Sequence, residues 1–144
     1  MRILKSVIDA IDSLVSEQPP ETGGILGSHD NELIDELVMD EPNPRTIKNC
    51  SYTPNISFLN QNIELWQSNN INFKGLFHTH YYGIKTLSCG DKKYINEIMC
   101  GLPKCIQYLY FPIFVLPNRE LICYNAIRGN KAILIEEEPL IIEK

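Results

Sequence analysis

The chain has 144 residues, of which 44% are hydrophobic and 22% charged, and its formal net charge is −5. That length suits one ordinary domain, and the composition excludes intrinsic disorder and a membrane-spanning helix. The acidic balance argues against nucleic acid as a partner. Lys5 and Asp9 interrupt the apolar amino-terminal stretch where a secretory signal would stay apolar. The expectation is a single domain over 1–144 that is cytoplasmic and contacts neither nucleic acid nor membrane.

Leu4, Val7, Ile8, Ile11, Leu14 and Val15 recur at helical spacing and imply an amphipathic helix that stops before Pro19-Pro20. Glu21 to Gly27 reads as a short strand whose glycines allow another backbone to come close. Ser28 to Asn31 is a turn, and Glu32 to Met39 is the return strand of a hairpin. Asp40 to Arg45, with Pro42 and Pro44, is a loop, and Asn49 to Thr53 reads as a third strand. A second helix spans about Ile56 to Asn69, with Trp66 as its core anchor. Phe73 to His80 alternates as a strand does, and Tyr81 to Leu87 is loop. Asp91 to Met99 forms a third helix, ended by Gly101-Leu102-Pro103. Ile106 to Leu116 and Leu121 to Ile127 are strands joined by the turn Pro117 to Glu120. A last strand runs from Ala132 to Glu136 or from Leu140 to Ile142. Helices and strands interleave without regular alternation, which implies an α+β domain.

The five cysteines form no Cys-x-x-Cys pair. Neither a disulfide framework nor a four-cysteine zinc knot is signalled, and the thiols are expected to be mostly buried and reduced. Cys89 is expected to point toward the core. His29 lies in the hairpin turn and has no assigned role.

One stretch concentrates chemistry. Phe77-His78-Thr79-His80 is followed after seven residues from His80 by Ser88-Cys89-Gly90-Asp91. Side chains two apart on a strand share a face, so both imidazoles can converge on one point. Imidazole is a common zinc ligand, and a catalytic site needs three protein ligands with a position left for water. Asp91, at the start of the following helix, is the leading third ligand. A plainer reading stands beside this one. His-x-His can be two surface histidines, and Ser88-x-x-Asp91 is a capping box.

His78-x-His80, the seven-residue gap, Ser88-x-x-Asp91 and an upstream Glu21 before Gly23-Gly24 resemble the JAMM signature of the JAB/MPN/Mov34 metallopeptidases, in their compact prokaryotic form. The element order resembles that family along nearly the whole chain. The resemblance implies a cytidine-deaminase-like mixed β-sheet flanked by helices. It also implies one catalytic Zn2+ held by His78, His80 and Asp91, with Glu21 as general base and Ser88 as donor to the oxyanion. Active relatives cut after the carboxy-terminal glycine of a ubiquitin-like protein, in precursor processing or deconjugation, and compact ones can work beside activating and conjugating enzymes, including in antiphage operons. The alternatives that the resemblance carries are trimming the tail of a sulfur-carrier protein and an inactive scaffold. Family members commonly have proline after the second histidine, where this chain has Tyr81-Tyr82-Gly83. Tyr81 and Tyr82 either flank the substrate tail or pack the loop onto the domain.

Overall fold

The computed structural model describes residues 1–41 and 52–144. Its elements are β1 (Arg2–Leu4), α1 (Lys5–Leu14), β2 (Gly23–Ser28), β3 (Leu33–Ile34), β4 (Glu36–Met39), α2 (Ile56–Ser68), β5 (Asn72–His80), α3 (Cys89–Gly101), β6 (Tyr108–Tyr110), β7 (Ile113–Val115), β8 (Glu120–Arg128), β9 (Ile133–Glu138) and β10 (Ile141–Glu143). The α+β class implied by the sequence is the class observed. No described helix is long and apolar enough to cross a membrane.

The main sheet runs β4-β2-β5-β6-β8-β7, with β9 on β8 and a further pairing of β5 with β7. β2 is antiparallel to β4 and β5, whereas β5 is parallel to β6 and β7. A second sheet, β10-β1-β3, is parallel throughout. β5 lies at the middle, and from Leu76 to His80 its side chains alternate between two cores. Phe77 joins Val7 and Ile11 of α1 on one side, and Leu76 joins Leu59 and Trp66 of α2 and Ile95 and Met99 of α3 on the other. Truncating a fully buried aliphatic such as Ile11 to alanine costs about 2–5 kcal/mol.

Two glycines of β2 are dictated by close approach. A Cβ at Gly23 would lie 2.6 Å from the Tyr52 ring, and one at Gly27 would lie 3.0 Å from the Trp66 ring. Trp66 is the core anchor expected of it, at 7% exposure.

Several boundaries differ from the local pattern. Arg2–Leu4 is a strand rather than helix or coil, because it pairs with β10 and β3, partners far off in sequence. The expected hairpin return is split at Asp35, so that β3 joins one sheet and β4 the other. The expected strand Ile106 to Leu116 is broken at Phe111-Pro112, where proline offers no N–H to a ladder. Both alternatives for the last strand exist, as β9 and β10. The expected third strand falls mostly outside the described residues, and Tyr52 and Thr53 are not in a strand. The thiols also differ from expectation. Cys89, Cys100 and Cys105 are exposed, and only Cys123 among the described cysteines is buried. Cys89 faces away because α3 turns Asp91, Ile95 and Met99 inward, and a residue two before Asp91 lies on the opposite side of a helix.

Candidate metal centre

Three elements bring the chemistry-bearing side chains together. β5 ends in His78 and His80, which share the face of Leu76. α3 begins at Cys89 with Ser88 as its N-cap, and Asp91 is the third helical residue. Glu21 precedes β2, whose antiparallel register sets Gly23 opposite His78. Thr22 is stitched to the same strand three times: its N–H donates to Thr79 Oγ1 at 2.9 Å, and its carbonyl accepts from Thr79 N at 2.8 Å and from Thr79 Oγ1 at 3.3 Å.

The Nε2 atoms of His78 and His80 are 2.9 Å apart. Asp91 Oδ2 is 3.1 Å from His80 Nε2, and Asp91 Oδ1 is 3.3 Å from His78 Nε2. His80 Nδ1 donates to the Ile84 carbonyl at 3.1 Å, since that oxygen can only accept. A neutral His80 therefore turns a bare Nε2 toward the cluster. His78 Nδ1 lies 3.0 Å from the Tyr94 hydroxyl, whose oxygen can accept the Nδ1 proton and leave the other Nε2 bare as well. Two neutral imidazole nitrogens and a carboxylate so arranged aim their lone pairs at one point, where a cation would relieve their mutual repulsion. Ligand atoms 2.0–2.1 Å from a tetrahedral zinc lie about 3.3 Å from one another, close to the separations found. The residues fit a metal ion.

Electrostatics agree with the geometry. Burial opposes charge on His80, but Asp91 and Glu21 outweigh it, and the net effect raises its pKa. Burial also works against the Asp91 carboxylate, yet hydrogen bonds with the two histidines hold it far below the usual range. Glu21 is half-buried, and burial raises its pKa despite the opposing pull of His78 and the Tyr52 N–H. A raised carboxylate pKa suits a group that must take and return a proton near neutral pH. One Glu21 oxygen accepts from Tyr52 N at 2.9 Å. Glu21 also offers an oxygen within 4.8 Å of ring nitrogens of both histidines.

The capping reading and the ligand reading both hold in space. Ser88 Oγ accepts from Asp91 N at 3.0 Å and Asp91 Oδ2 accepts from Ser88 N at 2.8 Å, while the same carboxylate reaches both histidines. The Ser88 hydroxyl thus uses its oxygen for the cap and keeps its hydrogen available. Tyr81 is buried, and its hydroxyl lies 3.0, 2.8 and 3.2 Å from the carbonyl oxygens of Ser16, Gln18 and Pro20, so it ties down the segment leading into Glu21. Tyr82 stands out into solvent at 82% exposure.

Two further residues at the site, Tyr52 and Tyr94, were not singled out from the sequence. Tyr52 stacks on the His78 ring at 5.7 Å between centroids and 12° between planes, and its hydroxyl donates to Asp40 Oδ2 at 2.6 Å. It lies in irregular chain, where periodicity says nothing. Tyr94 was detectable in principle, because it stands three residues after Asp91 and so shares its helical face. Its phenol is held far above the usual range, first by burial and then by the charges of Asp91 and Glu21.

No protein-family profile matches the chain, and no curated protein matches it. Solved structures do. A protein of Desulfitobacterium hafniense is 17% identical with a TM-score of 0.67, over 100% of this chain and 94% of that one. A JAB1/MPN domain protein of Archaeoglobus fulgidus is 19% identical with a TM-score of 0.54, over the whole of both chains. A structure described as JAMM, a metalloprotease-like zinc site in the proteasome and signalosome, is 19% identical with a TM-score of 0.55, over 100% of this chain and 98% of that one.

Proposed function

We propose that this chain, which has the JAB/MPN fold, is a zinc-dependent peptidase or isopeptidase that hydrolyses the bond after the carboxy-terminal glycine of a ubiquitin-like protein. The observation that carries this reading is the meeting of His78 Nε2, His80 Nε2 and the Asp91 carboxylate within 3.3 Å, with Glu21 beside them. The fold adds support, because two structures that share it are described as a JAB1/MPN domain protein and a metalloprotease-like zinc site.

His78, His80 and Asp91 would hold one zinc ion. When bound, zinc supplies Lewis acidity that polarises the scissile carbonyl and lowers the pKa of the attacking water toward about 7. Glu21 would take a proton from the attacking water and return it to the nitrogen of the leaving amine. The Ser88 hydroxyl donates its free hydrogen to the oxygen on which negative charge develops. Tyr52 and Tyr94 keep the His78 ring in place, and Thr79 and Tyr81 keep the Glu21 segment in place. No cysteine is required as a nucleophile.

The experiment is cleavage of a ubiquitin-like protein fused through its terminal glycine to a reporter peptide. The reading expects cleavage after the glycine, loss of cleavage with a chelator, recovery on adding zinc, and no cleavage by Glu21→Gln. Cleavage that persists at full rate in the chelator, or in Glu21→Gln, would contradict it.

A further inference from the structure

Hydrolysis of one amide bond needs room for an extended backbone and a water. The described residues enclose far more. A cavity of about 930 Å3 starts at Glu21, His80, Ser88 and Asp91 and runs between α2 and α3 above the main sheet. Leu59 and Ile63 form one wall, Tyr94 and Ile98 the other, and Ile25 and Leu76 the floor. That volume falls in the range of pockets that enclose a whole small ligand. The rim is apolar as well. Ile56, Tyr82 and Ile84, which are 68%, 82% and 51% exposed, all border it. Exposed apolar side chains gathered around an apolar cavity mark a binding surface. The charged residues in the lining are Glu21, Asp91 and Glu97, and no lysine or arginine is among them.

We propose that this cavity is the leaving-group pocket of the site, and that it takes a bulky apolar side chain on the amine side of the scissile bond. This rests on the reading given under Proposed function. A terminal glycine brings no side chain next to the scissile carbonyl, so beside the metal site the amine side is the one with a side chain to fill the space. The lining's charge narrows the occupant further. Away from the metal site a free carboxylate would meet Glu97 and no lysine or arginine, whereas the amine released by hydrolysis carries the complementary sign. The favoured leaving group is therefore an apolar stretch of a longer polypeptide rather than a short tail that ends in its own carboxylate. The step is ordinary hydrolysis: the carbon–nitrogen bond breaks, water supplies hydroxyl to the acyl carbon, and the proton goes to the amine.

The test reads binding without turnover. Zinc-loaded Glu21→Gln protein is titrated calorimetrically with acetyl-Gly-Gly-Phe-Ala-amide, with its Gly-Gly-Ser-Ala counterpart, and with acetyl-Gly-Gly-Phe ending in a free carboxylate. The phenylalanine amide should bind at least about tenfold more tightly than the serine peptide, and the free carboxylate should weaken binding several-fold. Ile98→Trp should fill the cavity from α3 and abolish the phenylalanine preference. Ile63→Trp should do the same from α2, and thermal unfolding shows which of the two variants is folded. Equal affinity for the phenylalanine and serine peptides, no measurable binding of either, or a preference that survives both tryptophan variants would overturn the proposal. The two readings fail separately. Phenylalanine preference in a chain whose wild type cleaves nothing sinks the peptidase reading and leaves a peptide pocket, whereas cleavage without preference sinks the pocket alone.

Discussion

β5 serves two purposes on its two faces. Phe77, Thr79 and the following Tyr81 turn toward α1, where the core is closed and each polar atom named is answered: Thr79 Oγ1 by Thr22 N–H, and the Tyr81 hydroxyl by carbonyls of residues 16 to 20. Leu76, His78 and His80 turn the other way, toward α2 and α3, where acceptor atoms crowd together and a large cavity stays open. One face places the backbone and the other exposes the chemistry. A period of two lets one strand keep these tasks apart. The contrast teaches that the polar groups of Thr79 and Tyr81 on the α1 face pair with backbone, whereas His78, His80 and Asp91 on the α3 face turn their nitrogen and oxygen atoms toward one another.

Substitutions on the two faces should therefore separate metal content, turnover and stability. His78→Ala or Asp91→Ala should have the largest effect, removing bound zinc and reducing activity to background, as metal analysis and a cleavage assay would show. Full activity in either variant would end the distinction between the faces. Glu21→Gln should retain zinc and lower kcat on the order of 10³-fold. Ser88→Ala should lower kcat about 10²-fold with KM little changed. It should also cost about 1 kcal/mol of stability through the lost cap, so a stability loss with an unchanged kcat would reduce Ser88 to a cap. Tyr94→Phe removes only the oxygen on His78 Nδ1 and should weaken zinc binding about tenfold in a competition titration, with the fold unchanged by circular dichroism. Tyr81→Phe should have the smallest effect: about 1 kcal/mol off thermal stability, zinc content unaltered and a lower kcat through the loosened Glu21 segment. Loss of zinc in Tyr81→Phe would break the separation from the other side.

How much of this was legible in the chain can be argued from particular residues. His78 and His80 were legible because two-residue spacing on a strand is a geometric statement in itself, and Asp91 because a capping position fixes where a helix begins. Glu21 became legible only through the resemblance. Nothing in Glu-Thr-Gly-Gly announces a base, and what places Glu21 is the antiparallel register of β2 with β5, which pairs residues 55 apart in sequence. Tyr52 was beyond reach for the same reason. The order of helices and strands was readable from periodicity, yet β1 and the split of β3 from β4 were not, since both follow from pairing across sheets. Cys89 shows the reverse case: its neighbours in sequence suggested the interior, and the helical phase set by Asp91, Ile95 and Met99 turns it outward.

Metal content of the purified protein, measured side by side for wild type, Glu21→Gln and His78→Ala, tests most directly whether the α3 face is a metal centre. About one zinc per chain in the first two and none in the third is the expected result. Wild type that takes up no zinc even after reconstitution, or His78→Ala that binds it as well as wild type does, would contradict it.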